Sequence, residues 1–443
     1  MELRDLIVTP IVIILTYAAA YVIRPHVSDS VTRRYFFPAL SLKIAGAIAL
    51  GFVYQYYYKG GDTFNYHTWG SRVIYEAFAK SPIEGLRLIF GDAANDPSLY
   101  RYTSKILFFH DPSSYFVIRI AAFLDLFTFS SYAATAVLFA IIGFVGMWML
   151  FLTFYEQDPA LHKWIAVATF FIPSVFFWGS GILKDTIVMA MLGTITFSIQ
   201  RIFLEKKVTV GSVIMLLLSL YITYEIKKYV LLCFLPASFF WVFAGNLSQI
   251  KSAMIRVMLF PLIILVAGFS GYYAVKKIGE DDPKYALDKL AKTSRVTAYD
   301  IGFYTGKDAG SGYSLGELDD SFLGMLRLAP QAINVSLFRP YIWEVKNPLM
   351  LLSSIESMIL LIATLYLLLK INFKLLRILR KPNILFCMLF SVTFAFAVGV
   401  STFNFGTLAR YKIPLMPFYL LGLVLVADQA NRERKLARLE ATE

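Results

Sequence analysis

Charge is scarce in this chain. Of 443 residues, 16% are Asp, Glu, Lys or Arg, where a soluble domain carries about 25%. Hydrophobic residues reach 58% and mean hydropathy is +0.63. That excludes an ordinary soluble enzyme, and apolar runs of spanning length point to an integral membrane protein. Cysteine is nearly absent. Cys233 and Cys387 each lie inside an apolar run, so buried thiols are expected, with no disulfide framework and no cysteine metal knuckle. The four histidines, His26, His67, His110 and His162, show no HExxH-like spacing, which argues against a zinc site. No repeat of fixed period runs through the sequence, and no stretch reads as a separate soluble domain. The net charge of +12 does not imply a nucleic-acid partner, because basic residues of membrane proteins gather on cytoplasmic loops. Residues 6–23 have weak basic flanking and no small-residue cleavage site, so they read as a retained helix and not a signal peptide.

What is present is a series of apolar runs. They predict an all-α polytopic membrane protein, one membrane domain over 1–443, with about eleven spanning helices. These fall at 6–24, 35–58, 131–154, 162–178, 185–204, 209–224, 228–245, 254–275, 348–370, 382–402 and 411–428. The apolar stretch 164–203 is too long for one crossing, and "WGSGILKD" (178–185) divides it. Lys and Arg are dense at 24–34, 205–207, 370–381 and in the tail from Arg432 to Arg438. If eleven helices alternate, all of these share one side. That side is then cytoplasmic, with the N-terminus outside and the C-terminus inside. Two structured loops fall on the outer side, 59–130 and 276–347. The stretch 71–90 repeats its apolar residues at helical spacing, as helices lying along a membrane surface do.

Several charges break the positive-inside pattern by falling in short outer loops. They are Lys184 with Asp185, then Lys227 and Lys228 in "YEIKKY", then Arg410 and Lys412 in "LARYK". A cluster of cations at one face suits an anionic ligand, phosphate above all. The plainer alternative is that each snorkels to the headgroups, and that Asp185 complements the dipole of its own helix. Asp62 follows Gly60 and Gly61 at the outer end of the second helix. There it could take a proton from an acceptor hydroxyl or cap the following helix. His67, five residues on, is a candidate acid or base that need not share a face with Asp62. Arg339 and Glu344 in "LFRPYIWE" read as a salt bridge that holds the second loop. Tyr56, Tyr57, Tyr58, Trp69, Trp178 and Trp343 could stack on sugars, but read first as an interfacial aromatic belt.

A helix, a large outer loop that opens on an acidic residue, a bundle of further helices and "ARYKIPLMPFYLLGLVL" (409–425) near the end resemble the GT-C superfamily of polyprenyl-phosphate-dependent glycosyltransferases. The resemblance covers the layout of the whole chain, but only these short motifs in sequence. It implies a membrane glycosyltransferase of cell-surface glycan assembly, acting at the outer face of the inner (plasma) membrane. Its partners would be a lipid-linked sugar donor, a glycan, lipid or protein acceptor, and membrane lipids. It maps Asp62 to the catalytic carboxylate and Arg410, before Pro414 and Pro417, to the lipid-phosphate site. Metal dependence differs among members and does not carry over, so a divalent metal is possible but not indicated, and no other cofactor is implied. The sequence departs from the family in its extra first helix and its lone "GGD" in place of an acidic pair. "FIPSVFFWGSGILKDTI" (171–187) matches no general motif of the superfamily and points toward a subfamily such as the surface-polysaccharide polymerases. A transporter of an anionic lipid-linked glycan, or a non-catalytic scaffold, are the competing readings.

Overall fold

A computed structural model describes residues 2–247, 311–316, 322–371 and 375–440, with Lys276, Lys292, Val296 and Tyr299 besides. The secondary-structure elements of the described residues are all helices, without strands; one isolated bridge joins Gly312 and Asn404. Seven of the helices are long and apolar enough to cross a membrane, or eight if one bent pair counts as a single span. The protein is therefore read as a multi-pass, all-α membrane protein.

The expected count of eleven spans is not what the described residues show, and the reasons are local. The expected helix at 162–178 is two short ones, His162–Phe170 and Pro173–Trp178. Nine residues rise only about 14 Å, half a hydrocarbon core. The break falls where Pro173 forces Ile172 into extended backbone, at φ −76° and ψ 121°. The expected helices 209–224 and 228–245 follow one another without a loop over Val210–Leu247, joined at a kink where the backbone of Lys227 is non-helical (φ −147°, ψ 77°). The last span is Phe405–Tyr411 followed by Met416–Lys435, bent by 67° at a break that holds Pro414. The expected helix at 254–275 and most of the 276–347 loop lie outside the described residues.

The described residues cluster into two compact units, where the sequence reading has one domain. The first holds Met1–Ser198 with Val213–Lys227, the second Ile199–Ser212 with Lys228–Glu443.

In the first unit, α1 (Leu3–Val27), α2 (Arg33–Phe52, continued by a π-turn to Tyr57) and α8 (Tyr132–Gln157) are spans. Between α2 and α8 lie α3 (Asp62–Tyr66), α4 (Arg72–Lys80), α5 (Pro82–Phe90), a single turn α6 (Tyr100–Thr103) and α7 (Pro112–Thr128). After α8 come α9 (His162–Phe170), α10 (Pro173–Trp178) and the span α11 (Lys184–Ile199), whose continuation to Leu204 is counted with the second unit. Only 11% of the apolar window of α1 is buried, against 67% for α8. What fixes α1 is polar. The buried carboxylate of Asp5 accepts from Ser131 Oγ at 2.7 Å and from the Ala133 amide at 3.3 Å, at the N-terminus of α8. Such amides have no partner within their own helix and favour negative charge.

The second unit packs Ala329–Phe338 and the bent terminal pair against Pro348–Ile371 and Pro382–Thr402. Its core is aromatic, with Phe234, Phe386, Phe390 and Phe418 meeting edge to face at centroid distances of 5.0–5.8 Å.

Candidate functional site

Asp62 owes its place to its predecessors. Lys59, Gly60 and Gly61 all take positive φ, at 57°, 137° and 121°. Glycine takes such angles freely, whereas a residue with a side chain, as at Lys59, does so at a cost. The Gly60 amide returns to the Tyr54 carbonyl at 2.9 Å, and a Cβ on Gly61 would lie 2.8 Å from the Tyr54 ring. The chain therefore leaves the span, folds back on it and restarts as α3 with Asp62 in the first turn. Gly61 holds the N-cap position, so Asp62 is not the cap itself; its charge faces the positive end of a helix. Asp62 is half-buried, while Tyr56, Tyr57, Tyr58 and Trp69 are exposed.

His67 opens a π-turn, His67–Ser71, and is fully buried. Its Nε2 lies 3.5 Å from Oδ1 of Asp125 on α7, and the edge of the imidazole meets the Tyr132 ring at 5.4 Å. Neither ring nitrogen makes a hydrogen bond. The Asp125 carboxylate accepts from Ser71 Oγ at 2.7 Å and from Thr135 Oγ1 at 2.6 Å. Tyr132 and Thr63 share a hydrogen bond of 2.8 Å. This polar cluster ties the first turns after Asp62 to α7 and α8.

Two of the singled-out cations of the first unit, Lys184 and Lys227, are paired. Lys184 Nζ donates to Asp111 Oδ2 at 3.0 Å and to Ser113 Oγ at 2.6 Å. Asp111 is the N-cap of α7, with its side chain on the Ser113 amide and on Ser114 Oγ at 2.5 Å. Partial burial opposes its charge, but the bonds from Ser114 and Lys184, the Lys184 charge and Ser113 outweigh that, holding its carboxyl well below the usual range. Lys227 and Asp185 form a buried ion pair, the lysine 6% exposed and the aspartate sealed.

Below Lys184 lies the interrupted segment. Lys43, near the middle of the α2 span, is wholly buried and donates to the Gly179 carbonyl at 2.6 Å and the Val175 carbonyl at 3.4 Å. The Val175 carbonyl also accepts from the Gly179 amide at 3.1 Å, while the Gly179 carbonyl, at the C-cap of α10, is one of those a helix end leaves over.

In the second unit, Arg339 and Glu344 form the expected ion pair through both Nε and Nη2, and Glu344 also accepts from the Tyr341 amide at 2.8 Å. The Glu344 bond raises the affinity of Arg339 for its proton. At Glu344 burial opposes charge, but the Arg339 contact outweighs it and lowers the carboxyl. The guanidinium lies over the rings of Phe405, Tyr341 and Tyr313 at 5.2, 5.9 and 6.0 Å. Lys412, in the break of the terminal pair, is buried and donates to Ser357 Oγ at 2.9 Å. Glu356 is buried as well. Arg410 is half-buried over the Tyr411 ring at 5.5 Å, and Lys228 is half-buried.

The expected cationic cluster thus resolves into separate relations. Lys227 meets Asp185 and Arg339 meets Glu344, while Lys184 meets Asp111, a residue the sequence reading passed over. Lys43, Asp111, Asp125 and Glu356 were also missed. Lys43 had a signal, a lone charge in the apolar run 36–53. Asp111 had one too, since Asp-Pro-Ser-Ser is a helix start with proline at its first position. Among the described residues no three His, Cys, Asp or Glu side chains group as metal ligands. Comparison with protein-family models, curated proteins and solved structures finds no match to this chain.

Proposed function

We propose that the protein is a membrane glycosyltransferase that takes a sugar or oligosaccharide from a polyprenyl phosphate or diphosphate at the extracytoplasmic face of the plasma membrane, in cell-surface glycan assembly. The observation that carries this reading is the setting of Asp62, a half-buried carboxylate held by a backbone turn at the exit of a membrane span. A lipid-linked donor presents its reacting carbon at that depth, because its tail fixes the phosphate near the interface. Asp62 accepts the proton of the acceptor hydroxyl as the acceptor oxygen bonds to the anomeric carbon. The bond from that carbon to the phosphate oxygen breaks, and the electron pair leaves with the phosphate. Lys184, aimed by Asp111 and Ser113, orients that phosphate in this reading. Arg410, which the resemblance maps to a lipid-phosphate site, and Lys228 and Lys412, which the charge pattern singled out, lie in the second unit and are to be tested for phosphate binding one by one. Lys227 with Asp185, and Arg339 with Glu344, serve as paired supports.

Two experiments test this. Removing the protein should make one lipid-linked glycan accumulate, and Asp62→Asn should reproduce that accumulation with the protein still inserted. Normal glycan output from Asp62→Asn would end the assignment of a base. For orientation, with the outer loop at 59–130 and the C-terminus cytoplasmic, a cysteine at Ala94 should react with an impermeant maleimide on intact cells and one at Ala437 should not. The reverse pattern would invert the sidedness.

One observation favours a second reading, transport of an anionic lipid-linked glycan. Broken helices and a mid-span charge accompany transport sites, and α9, α10 and Lys43 supply both. Movement of labelled lipid-linked glycan across liposomes holding the pure protein, without any glycosyl transfer, would establish that reading over the first.

A further inference from the structure

Only Lys184 and Asp185 of "WGSGILKD" have a role in the scheme above, yet the five residues before them are closely packed. Gly179, Ser180, Gly181, Ile182 and Leu183 are buried. A Cβ on Gly46 of α2 would collide with the Phe176 carbonyl, and one on Gly143 of α8 would lie 3.0 Å from the Gly179 carbonyl and 3.7 Å from Lys43 Nζ. The turn is closed by its own bonds. Ser180 Oγ donates to the Phe176 carbonyl, the Leu183 amide to the Gly181 carbonyl at 2.8 Å, and Thr186 Oγ1 to the same carbonyl at 2.7 Å. What those bonds leave over is the Gly179 carbonyl, and Lys43 takes it at 2.6 Å; the Val175 carbonyl, which already accepts from the Gly179 amide, is its second and longer contact.

A lysine so deep has no route to either interface, since four methylenes from mid-span cannot reach the headgroups. An intramembrane charge is costly and persists where something uses it. Both hydrogen-bond partners of Lys43 are neutral carbonyls at a helix C-terminus, where a cation is favoured. The next residues along the chain after this turn are Lys184 and Asp185.

We propose that Lys43 is a positioning residue. Its ammonium is the resident cation of the carbonyl end of α10, and through that turn it holds Lys184 on Asp111 and Asp185 on Lys227. A lysine that merely filled space could be replaced by methionine without consequence. A resident cation could not, and its loss should be made good by a small ammonium ion. The claim does not depend on the reaction proposed above, and its test needs no turnover.

The test uses the full chain in detergent, with Cys233→Ser and Cys387→Ala, and Ser180→Cys as a reporter inside the turn. The reporter should alkylate slowly in the parent. With Lys43→Met or Gly143→Ala added, alkylation should rise by about 10–100-fold, as losing a charge-assisted buried hydrogen bond shifts a local opening equilibrium. With Lys43→Ala, methylammonium should restore protection and tetramethylammonium, which has no N–H, should not. Unchanged protection in a folded Lys43→Met chain overturns the proposal. So does equal rescue by the two ions. If the Lys43 variants do not fold, Gly143→Ala decides, since it crowds the same contact and keeps the charge; full protection there is also an overturning result. Where glycosyl transfer is measurable, Lys43→Met should raise the donor KM more than it lowers kcat. A failure of that last readout alone, with the labelling as expected, counts against the reaction and not against the positioning.

Discussion

Lys227 meets Asp185 at the residue where Val210–Leu247 loses helical geometry, and the pair is closed to solvent on both sides. The two residues are 42 apart in sequence. An ion pair in such a place brings together the dihedral break, the end of a helix and the N-terminal turn of α11.

Breaking that pair from one side should be far worse than removing it. Lys227→Met alone, or Asp185→Leu alone, strands a buried charge at a cost of about 3–5 kcal/mol. The double variant should recover most of that loss. Unfolding in detergent measures it, and a double variant as unstable as the sum of the singles would mean the two side chains act independently.

Asp62→Asn should cut turnover by about 10²–10⁴-fold, the usual loss when a general base goes. Stability should fall little, by about 0.3–1 kcal/mol, because Asn keeps the shape and forfeits only the charge at the start of α3. A variant with normal turnover and that same small stability loss would make the carboxylate a dipole partner and nothing more.

Gly60 and Gly61 separate strain from collision. Both have positive φ, but a Cβ on Gly60 meets nothing within 4 Å, while one on Gly61 runs into Tyr54. Gly60→Ala should cost about 1 kcal/mol, in the range of backbone strain alone. Gly61→Ala should cost more and should lower turnover, because the Tyr54 contact sets where Asp62 points. Equal effects of the two substitutions in both assays would remove the Tyr54 contact from the account.

Asp111 gives the pH dependence. Its carboxyl is lowered in the fold, so the contribution to stability is complete above the ordinary carboxylate pKa, about 3.9. It is lost progressively as pH falls below that value toward the folded one. The difference in melting temperature between the parent and Asp111→Asn should therefore be constant near neutrality and shrink on acidification below about pH 4. A gap that widened on acidification would reverse the sign.

The spans at α1, α2, α8 and α11 were legible because each is a long apolar run between charges. The division of 209–245 near Lys227 was legible as well, since charges in "YEIKKY" interrupt an apolar pattern. The interruption at "WGSGILKD" was legible and separates α10 from α11. The further break at 171–172, where Pro173 ends the first helix, was not read. Local pattern also shows that Asp62 follows a turn, because two glycines announce positive φ. It does not show that Asp125 awaits His67, or Asp111 awaits Lys184, for those pairs join residues whose separation carries no periodicity. Lys43 was passed over for a different reason. Charges were sought between helices, and this one is inside a helix, where only the packing of α10 explains it.

The latch between Asp5 and Ser131 has a consequence for biosynthesis. The two residues are 126 positions apart, and at about 5–20 residues per second the ribosome takes roughly 6–25 s to make the chain between them. Through that interval α1 must reside in lipid without the helix that fixes its register. Its nearly unburied surface lets it wait as a lone hydrophobic rod, and its carboxylate near one end has only water or headgroups for company. When α8 emerges, Ser131 and the Ala133 amide arrive together and set α1 in one step. An Asp5→Ala chain should therefore insert normally and fail later, at assembly, leaving a helix that slides and turns against α8.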